Sequence, residues 1–264
     1  MYAFAYQRAK NVADAAAAFK AADDAAFLAG GQTLIPTLKQ RLRQPSAVID
    51  LGTLAELKGI GVTKDAVVIG AGVTHAEVAA SPDVANAIPA LADLAAHIGD
   101  PQVRNRGTLG GSIANNDPAA DYPAAVVALG ATVHTLTRNL AAEDFFTGMF
   151  ETALEPGEVV VKVSFPIPRR AAYAKFRNPA SRYAVVGVMV AETTDGIRVA
   201  ATGAGPGVFR LPEMEAALGK NFSIAAIQNI SIPAGDLNAD IHATADYRAH
   251  LIGVMAQRAV AAIA

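Results

Sequence analysis

Two glycine pairs, Gly30-Gly31 and Gly110-Gly111, most constrain what this chain can become. Each lies in a short loop, Ala29-Gly30-Gly31-Gln32-Thr33 and Thr108-Leu109-Gly110-Gly111-Ser112, and each precedes helix-like sequence. Glycine permits positive φ and lets backbone approach a ligand or another segment closely. Consecutive amides in such a turn converge on an anion, as they do at helix N-termini. Two such loops suit a ligand with two phosphates, and Gln32, Thr33, Thr108 and Ser112 add side-chain donors. A tight turn explains either pair taken alone. Neither loop has the G-x-G-x-x-G spacing after a first strand, which argues against a Rossmann site. Neither has G-K-[ST], so neither is a triphosphate-binding P-loop.

The rest of the chain reads as mixed α and β sequence. Asn11 to Ala22 is an Ala-rich helix with Asp14 near its start. Ala25 to Ala29, Ala47 to Leu51 and Ala66 to Gly70 are apolar strands. Leu34 to Leu42 has helical spacing. Ser81-Pro82-Asp83 starts a helix, Ala90 to Ile98 is a second, and Gly99 to Gly107 is a polar loop. Asp117-Pro118 opens an Ala/Val/Leu helix that Gly130 ends, with Asp117 as its cap. Strands follow at Ala131 to Leu136 and Val159 to Phe165. Pro166 to Arg170 (PIPRR) cannot continue a ladder and marks a boundary. Tyr183 to Ala191 and Ile197 to Thr202 are further strands, and Thr244 to Ile263 is a closing helix. Because strands and helices do not strictly alternate, the order predicts an α+β fold with a C-terminal sub-domain.

Composition narrows the function. The chain has 264 residues, 52% hydrophobic and 17% charged, which suits one large or two modest folded domains. A net charge of −2 with no basic stripe argues against nucleic acid. No apolar run is long enough to span a membrane and no signal peptide is evident, so a cytoplasmic location is expected. There is no cysteine, which excludes disulfides, thiolate zinc and thiolate-bound iron–sulfur clusters on this chain. The histidines at 75, 97, 134, 242 and 250 do not cluster, so no metal site is expected; His97 adjoins Ile98 and can come near a ligand there. No Ser/His/Asp constellation stands out, and no catalytic residue is assigned.

The stretches AGGQTLIPTLKQRL (29–42) and VRNRGTLGGSIANNDPAADYPAAVVALGA (103–131) resemble the two FAD motifs of the flavin subunit of molybdenum hydroxylases, the xanthine dehydrogenase and carbon monoxide dehydrogenase family. Their spacing fits as well. The resemblance continues through GAGVTHAEV (70–78), GEVVVKVSFP (157–166), YAKFRNPASRYAVVGV (173–188), GAGPGVFRLPEMEAALGK (203–220) and ADYRAHLIGVMAQRAV (245–260). It covers essentially the whole chain.

The resemblance implies a two-lobe FAD-binding domain of the vanillyl-alcohol-oxidase/PCMH type over 1–168, with lobes at about 1–55 and 56–168. It implies a small α+β domain with an antiparallel sheet over 169–264. It puts the backbone of Ala29, Gly30, Gly31, Gln32, Thr33 and Leu34 on one side of the FAD pyrophosphate. Thr108, Leu109, Gly110, Gly111 and Ser112 lie on the other side. It makes Asp121 an acceptor for the cofactor, with Asp117 a second candidate, and Val160 a backbone contact at the adenine end. Ile98 would pack on the isoalloxazine ring, Tyr183 would stack on it or limit access to it, and Lys175 would place a cation nearby. Each side chain also has a plain structural reading: core for Ile98, buried strand for Tyr183, helix-start acid for Asp117 and Asp121.

For function, the resemblance implies an electron-transfer subunit of a heterotrimer, paired into a dimer of heterotrimers. A large subunit would carry the molybdenum cofactor and a small subunit two [2Fe–2S] clusters, with FAD here passing electrons to an external acceptor. The missing cysteines agree, since the clusters must lie on another chain. A free-standing two-lobe flavin oxidase or reductase is the alternative, and a non-enzymatic nucleotide-binding module a third reading. Valine at Gly110 or Gly111 is expected to abolish FAD retention by filling the space the pyrophosphate approaches.

Overall fold

The structure, a computed structural model, describes residues 1–263. It is α+β throughout, as the order of elements predicts. The first lobe is a three-stranded parallel sheet, β1 (Ala5–Arg8), β2 (Ala25–Leu28) and β3 (Ala47–Asp50), with β3 in the middle. The connecting helices are α1 (Val12–Ala21) and α2 (Leu34–Lys39). Asn11 caps α1 by accepting from the Asp14 amide at 2.7 Å, which fixes where the helix begins. Val48 and Ile49 of the central strand are fully buried, as befits a parallel sheet. The α2 helix ends short of the expected Leu42. Arg41 turns to φ 60° and Leu42 is 74% exposed.

The second lobe is a five-stranded antiparallel sheet. Its strands are β4 (Ile60–Val62), β5 (Ala66–Gly70), β6 (Thr132–Thr135), β7 (Asn139–Ala141) and β10 (Val160–Pro166), in the order β4-β5-β10-β6-β7. A small hairpin of β8 (Phe146–Gly148) and β9 (Glu151–Thr152) lies between β7 and β10 in sequence. Between β5 and β6 come helices α3 (His75–Ala80), α4 (Pro82–Ala87), α5 (Pro89–Ala96), α6 (Pro101–Arg104), α7 (Leu109–Asn115) and α8 (Tyr122–Ala128), and α9 (Ala142–Phe145) follows β7. The loop expected at 99–107 therefore holds a helical turn, capped by Asp100 on the Val103 amide with Pro101 at its first position. The helix expected from Asp117 begins only at Tyr122. The Asp117 carboxylate instead closes a local turn on the Ala119 amide at 2.9 Å.

The C-terminal part is a four-stranded antiparallel sheet of β11 (Arg170–Arg177), β12 (Ala184–Thr193), β13 (Gly196–Thr202) and β14 (Phe209–Arg210), in sequence order. Helices α10 (Pro212–Lys220), α11 (Ile224–Ile227) and α12 (Ala245–Ile263) complete it. Strand β11 was not expected. The sheet is covered on both faces. Alternate residues, Val186, Val188 and Val190, join α12 in one core, while Met189 and Ala191 join the core of the two preceding lobes. That double burial explains the unbroken apolar run of β12. No helix among the described residues is long and apolar enough to cross a membrane.

Candidate functional site

The first glycine loop joins β2 to α2. Gly31 takes φ +73°, and Ile35 and Thr37 donate back to the Gly31 and Thr33 carbonyls. Thr33 offers no side-chain cap. The amides of Gly30, Gly31, Gln32, Thr33 and Leu34 consequently have no acceptor among the described residues. They are the unsatisfied donors of a helix start extended backwards by a turn. All five residues line a cleft of about 600 Å³.

The second loop lines the same cleft but is wired differently. Leu109 donates to the Val73 carbonyl at 3.0 Å and Gly110 to that of Ala71 at 2.8 Å. Gly111 donates to Thr108 Oγ1 at 3.1 Å and Ser112 to the Thr108 carbonyl at 3.0 Å. The expected second cradle of free amides is therefore absent, because long-range partners and the Thr108 cap hold these donors. Hydroxyls remain: Ser112 has no partner among the described residues, and Thr108 can still donate. Leu109 is fully buried in the core and does not line the cleft, so its expected place beside a ligand is corrected to that of an anchor.

The loops pack against one another. A Cβ on Gly30 would stand 2.1 Å from the Arg106 carbonyl oxygen, just ahead of the second loop. One on Gly110 would stand 2.5 Å from Ala71 Cβ. Valine at 110 would therefore fail against the protein itself, not only against a ligand. Gly111 is exposed to the cleft, and a Cβ there would meet only the Thr108 hydroxyl closely, at 2.9 Å.

Of the expected site residues, all but Leu109 and Lys175 line this one cleft. Ile98 and Tyr183 line it beyond the loops, and Val160 contributes from β10. Tyr183 is not a buried strand residue; it precedes β12 and is 48% exposed. Asp121 is 4% exposed and already engaged. The Tyr173 hydroxyl donates to it at 2.6 Å and Lys175 Nζ at 2.9 Å. Burial raises the Asp121 carboxyl above its ordinary range, opposed chiefly by the Lys175 charge. Lys175 is thus a buried partner of Asp121, not a cation facing the cleft; it also donates to the His97 carbonyl at 3.1 Å. The His97 ring turns back on the Asp93 carbonyl and does not line the cleft. Burial likewise raises Asp117.

Among the lining residues that escaped the sequence, Arg106 and His75 bear on the chemistry. Arg106 sits at the seam of the two loops with no partner for its guanidinium among the described residues. Its position directly before Gly107 was the available signal. His75, 5% exposed, starts α3, and its backbone amide donates to the Gly107 carbonyl. Its Nδ1 has no partner, and burial, aided by the Arg104 charge, lowers its pKa to about 4. A Cβ on Gly107 would stand 2.6 Å from His75 Nε2, so Gly107 makes room for the ring. Nothing local in the sequence marks His75.

The donor set fits a dinucleotide: free amides and an unpaired arginine for phosphates, then hydroxyls, then an apolar side chain and a tyrosine for a planar ring. Comparison with known proteins agrees. Residues 2–168 match the model of the family described as the FAD binding domain in molybdopterin dehydrogenase. The chain is 33% identical to the nicotine 6-hydroxylase medium subunit of Paenarthrobacter nicotinovorans, covering 98% of this chain and 96% of that one. It is 36% identical to the carbon monoxide dehydrogenase medium chain of Hydrogenophaga pseudoflava, covering 97% and 96%. Among solved structures, quinoline 2-oxidoreductase from Pseudomonas putida 86 superposes with a TM-score of 0.91 at 30% identity, covering 99% and 97%. The chain therefore belongs to the FAD-binding medium subunits of the molybdopterin dehydrogenases, and is an oxidoreductase subunit.

Proposed function

We propose that the chain passes electrons from an iron–sulfur subunit to an external acceptor, within a heterotrimer whose large subunit hydroxylates the substrate. The observation that carries this is the row of acceptor-free amides from Gly30 to Leu34, facing a cleft walled on its other side by the second loop. Such a row is built for a pyrophosphate. In this reading Ala29 to Leu34 hold it and Arg106 supplies counter-charge. Thr108 and Ser112 add hydroxyl donors, with Gly110 and Gly111 forming the wall between. Val160 backs the adenine end, while Ile98 and Tyr183 flank the ring. Asp121 and Asp117 border the cofactor, the former held by Lys175 and Tyr173. Bound FAD supplies the ability to take electrons singly and release them in pairs.

The chain has no cysteine, so two [2Fe–2S] clusters would sit on a small subunit, and the molybdenum cofactor on the large one. The full assembly is a dimer of heterotrimers in the cytoplasm. Residues 1–168 form the flavin domain and 169–264 the C-terminal one. A related carbon monoxide dehydrogenase is described as lacking the Mo-pyranopterin moiety of its molybdenum cofactor, which supports a molybdenum-bearing partner. The substrate class belongs to that partner.

The test is to purify the chain and its co-purifying subunits. A flavin spectrum with one FAD per chain is expected, and substrate should bleach it only in the complex. A colourless chain that cannot be reconstituted with FAD overturns the reading. Steady-state turnover of NAD(P)H or small alcohols by the isolated chain would replace it with a free-standing flavin enzyme.

A further inference from the structure

The segment that follows α5 is held in an unusual way. Helix α5 ends at Ala96. The next three carbonyls, those of His97, Ile98 and Gly99, each accept from a cationic side chain, and the three cations come from different parts of the fold. Lys175 on β11 donates to the His97 carbonyl at 3.1 Å. Arg104 on α6 donates through Nη1 to the Ile98 carbonyl at 2.9 Å and to the Gly99 carbonyl at 3.1 Å. Arg182, next to Tyr183, reaches the Gly99 carbonyl at 3.5 Å. Ordinary C-capping satisfies the last carbonyls inside a helix. Here the helix has already ended, and the held carbonyls lie at and beyond its cap. Gly99 adds a φ of +51°, so the chain bends immediately after Ile98.

Ile98 is the one residue of the three whose side chain is a large apolar group, and it lines the cleft that Tyr183 also lines. The Arg182–Gly99 contact brings the segment carrying Tyr183 alongside the segment carrying Ile98. We infer that Arg104, assisted by Lys175 and Arg182, is a positioning residue. It fixes the 97–99 backbone so that Ile98 forms one wall of the slot for the planar ring of the flavin. None of the three cations needs to touch the ring. Each acts through the position of Ile98. Ordinary hydrogen bonds from neutral donors would serve less well, since bonds from a charged donor are shorter and stronger. Lys175 links this clamp to buried Asp121, so the wall is tied to the C-terminal sheet as well.

This inference rests on the FAD reading above, and the experiment separates the two. FAD is titrated into the stripped protein, and visible circular dichroism and the midpoint potential of the bound flavin are recorded. The proteins compared are wild type, Arg104→Met, Arg104→Lys, Ile98→Ala and Ile98→Ala/Arg104→Met. Arg104→Met should fold, bind FAD about tenfold more weakly, and shift both the dichroism and the potential. Arg104→Lys, with one compact donor, should restore part of each change. In the Ile98→Ala background the Arg104 substitution should add little, because its route of action is gone. Unchanged dichroism and potential in Arg104→Met, or an equal effect with and without Ile98, overturns the inference while leaving FAD binding intact. If Arg104→Met does not fold, Arg104→Lys against wild type decides, with no spectral change counting against the clamp. Failure of wild type to bind FAD would sink the underlying reading instead.

Discussion

The two glycine loops carry the same dipeptide and do opposite things with their amides. The first leaves five successive donors, Gly30 to Leu34, without an acceptor. The second commits the donors of Leu109, Gly110, Gly111 and Ser112 to Val73, Ala71 and Thr108. The glycines differ accordingly. Gly31 is required by a φ of +73° and Gly110 by the approach of Ala71, whereas Gly111 is required by neither. One loop is a cradle and the other is a strut with a ligand-facing edge. A glycine pair thus names a place where backbone comes close, and only the partners of its amides say to what.

Gly110→Val makes the largest break in that comparison. Its Cβ alone would overlap Ala71 Cβ at 2.5 Å, and α7 would have to leave the end of β5. The expected cost is upward of about 3 kcal/mol, from overpacking a fully buried backbone contact. Because the clash is with protein, the loss should be as large without FAD as with it. Urea unfolding of stripped protein measures this. A stripped variant as stable as wild type would show that Gly110 faces ligand after all.

Acid should attack the strut before the cradle. No titratable side chain lies between Ala29 and Leu34, whereas buried His75 donates its backbone amide to Gly107 beneath the second loop. Its pKa falls from 6.5 to about 4 on folding, so between those values the unfolded chain binds a proton that the native one refuses. Stability from this group is fully present above about pH 6.5 and drains away as pH falls toward 4, by on the order of 2–3 kcal/mol. His75→Gln should flatten that part of the profile. The check is urea midpoints of stripped protein at several pH values, and an unchanged slope in the variant would remove His75 from the account.

How much of this the sequence carried depended on range. Continuous apolar runs such as Val185 to Ala191, and capped starts such as Ser81-Pro82, are local signals and were legible. So was the cleft lining at Gly30 to Leu34, because its residues share one turn. Asp117-Pro118 misled because Asp-Pro marks a helix start and a turn alike. The carboxylate chose the Ala119 amide, and the helix waited for Asp121-Tyr122-Pro123. Strand β11 was missed because Tyr173 and Lys175 look like surface polar residues, and their partner Asp121 lies some fifty positions earlier. The spent amides of the second loop were illegible for the same reason: Val73 and Ala71 are distant in sequence.

Gly111→Ala gives the smallest effect and the sharpest comparison. Position 111 is exposed to the cleft, and its nearest neighbour is the Thr108 hydroxyl at 2.9 Å, which must shift slightly while keeping its hydrogen bond from the residue 111 amide; Ala29 Cβ stands at 3.9 Å. Alanine also suits helix α7 better than glycine, by up to about 1 kcal/mol. The stripped protein should therefore be as stable as wild type or slightly more so. The new methyl group would stand on the cleft side, between the strut and the cradle, where a pyrophosphate must fit. FAD affinity should fall about tenfold, equivalent to about 1.4 kcal/mol. Calorimetric titration with FAD measures that loss, and urea unfolding of the stripped variant supplies the control. Weaker binding at undiminished stability would separate the ligand-facing role of this loop from its structural one. Unchanged affinity would mean that the cofactor passes over the cradle alone, and that the strut only holds the cradle in place.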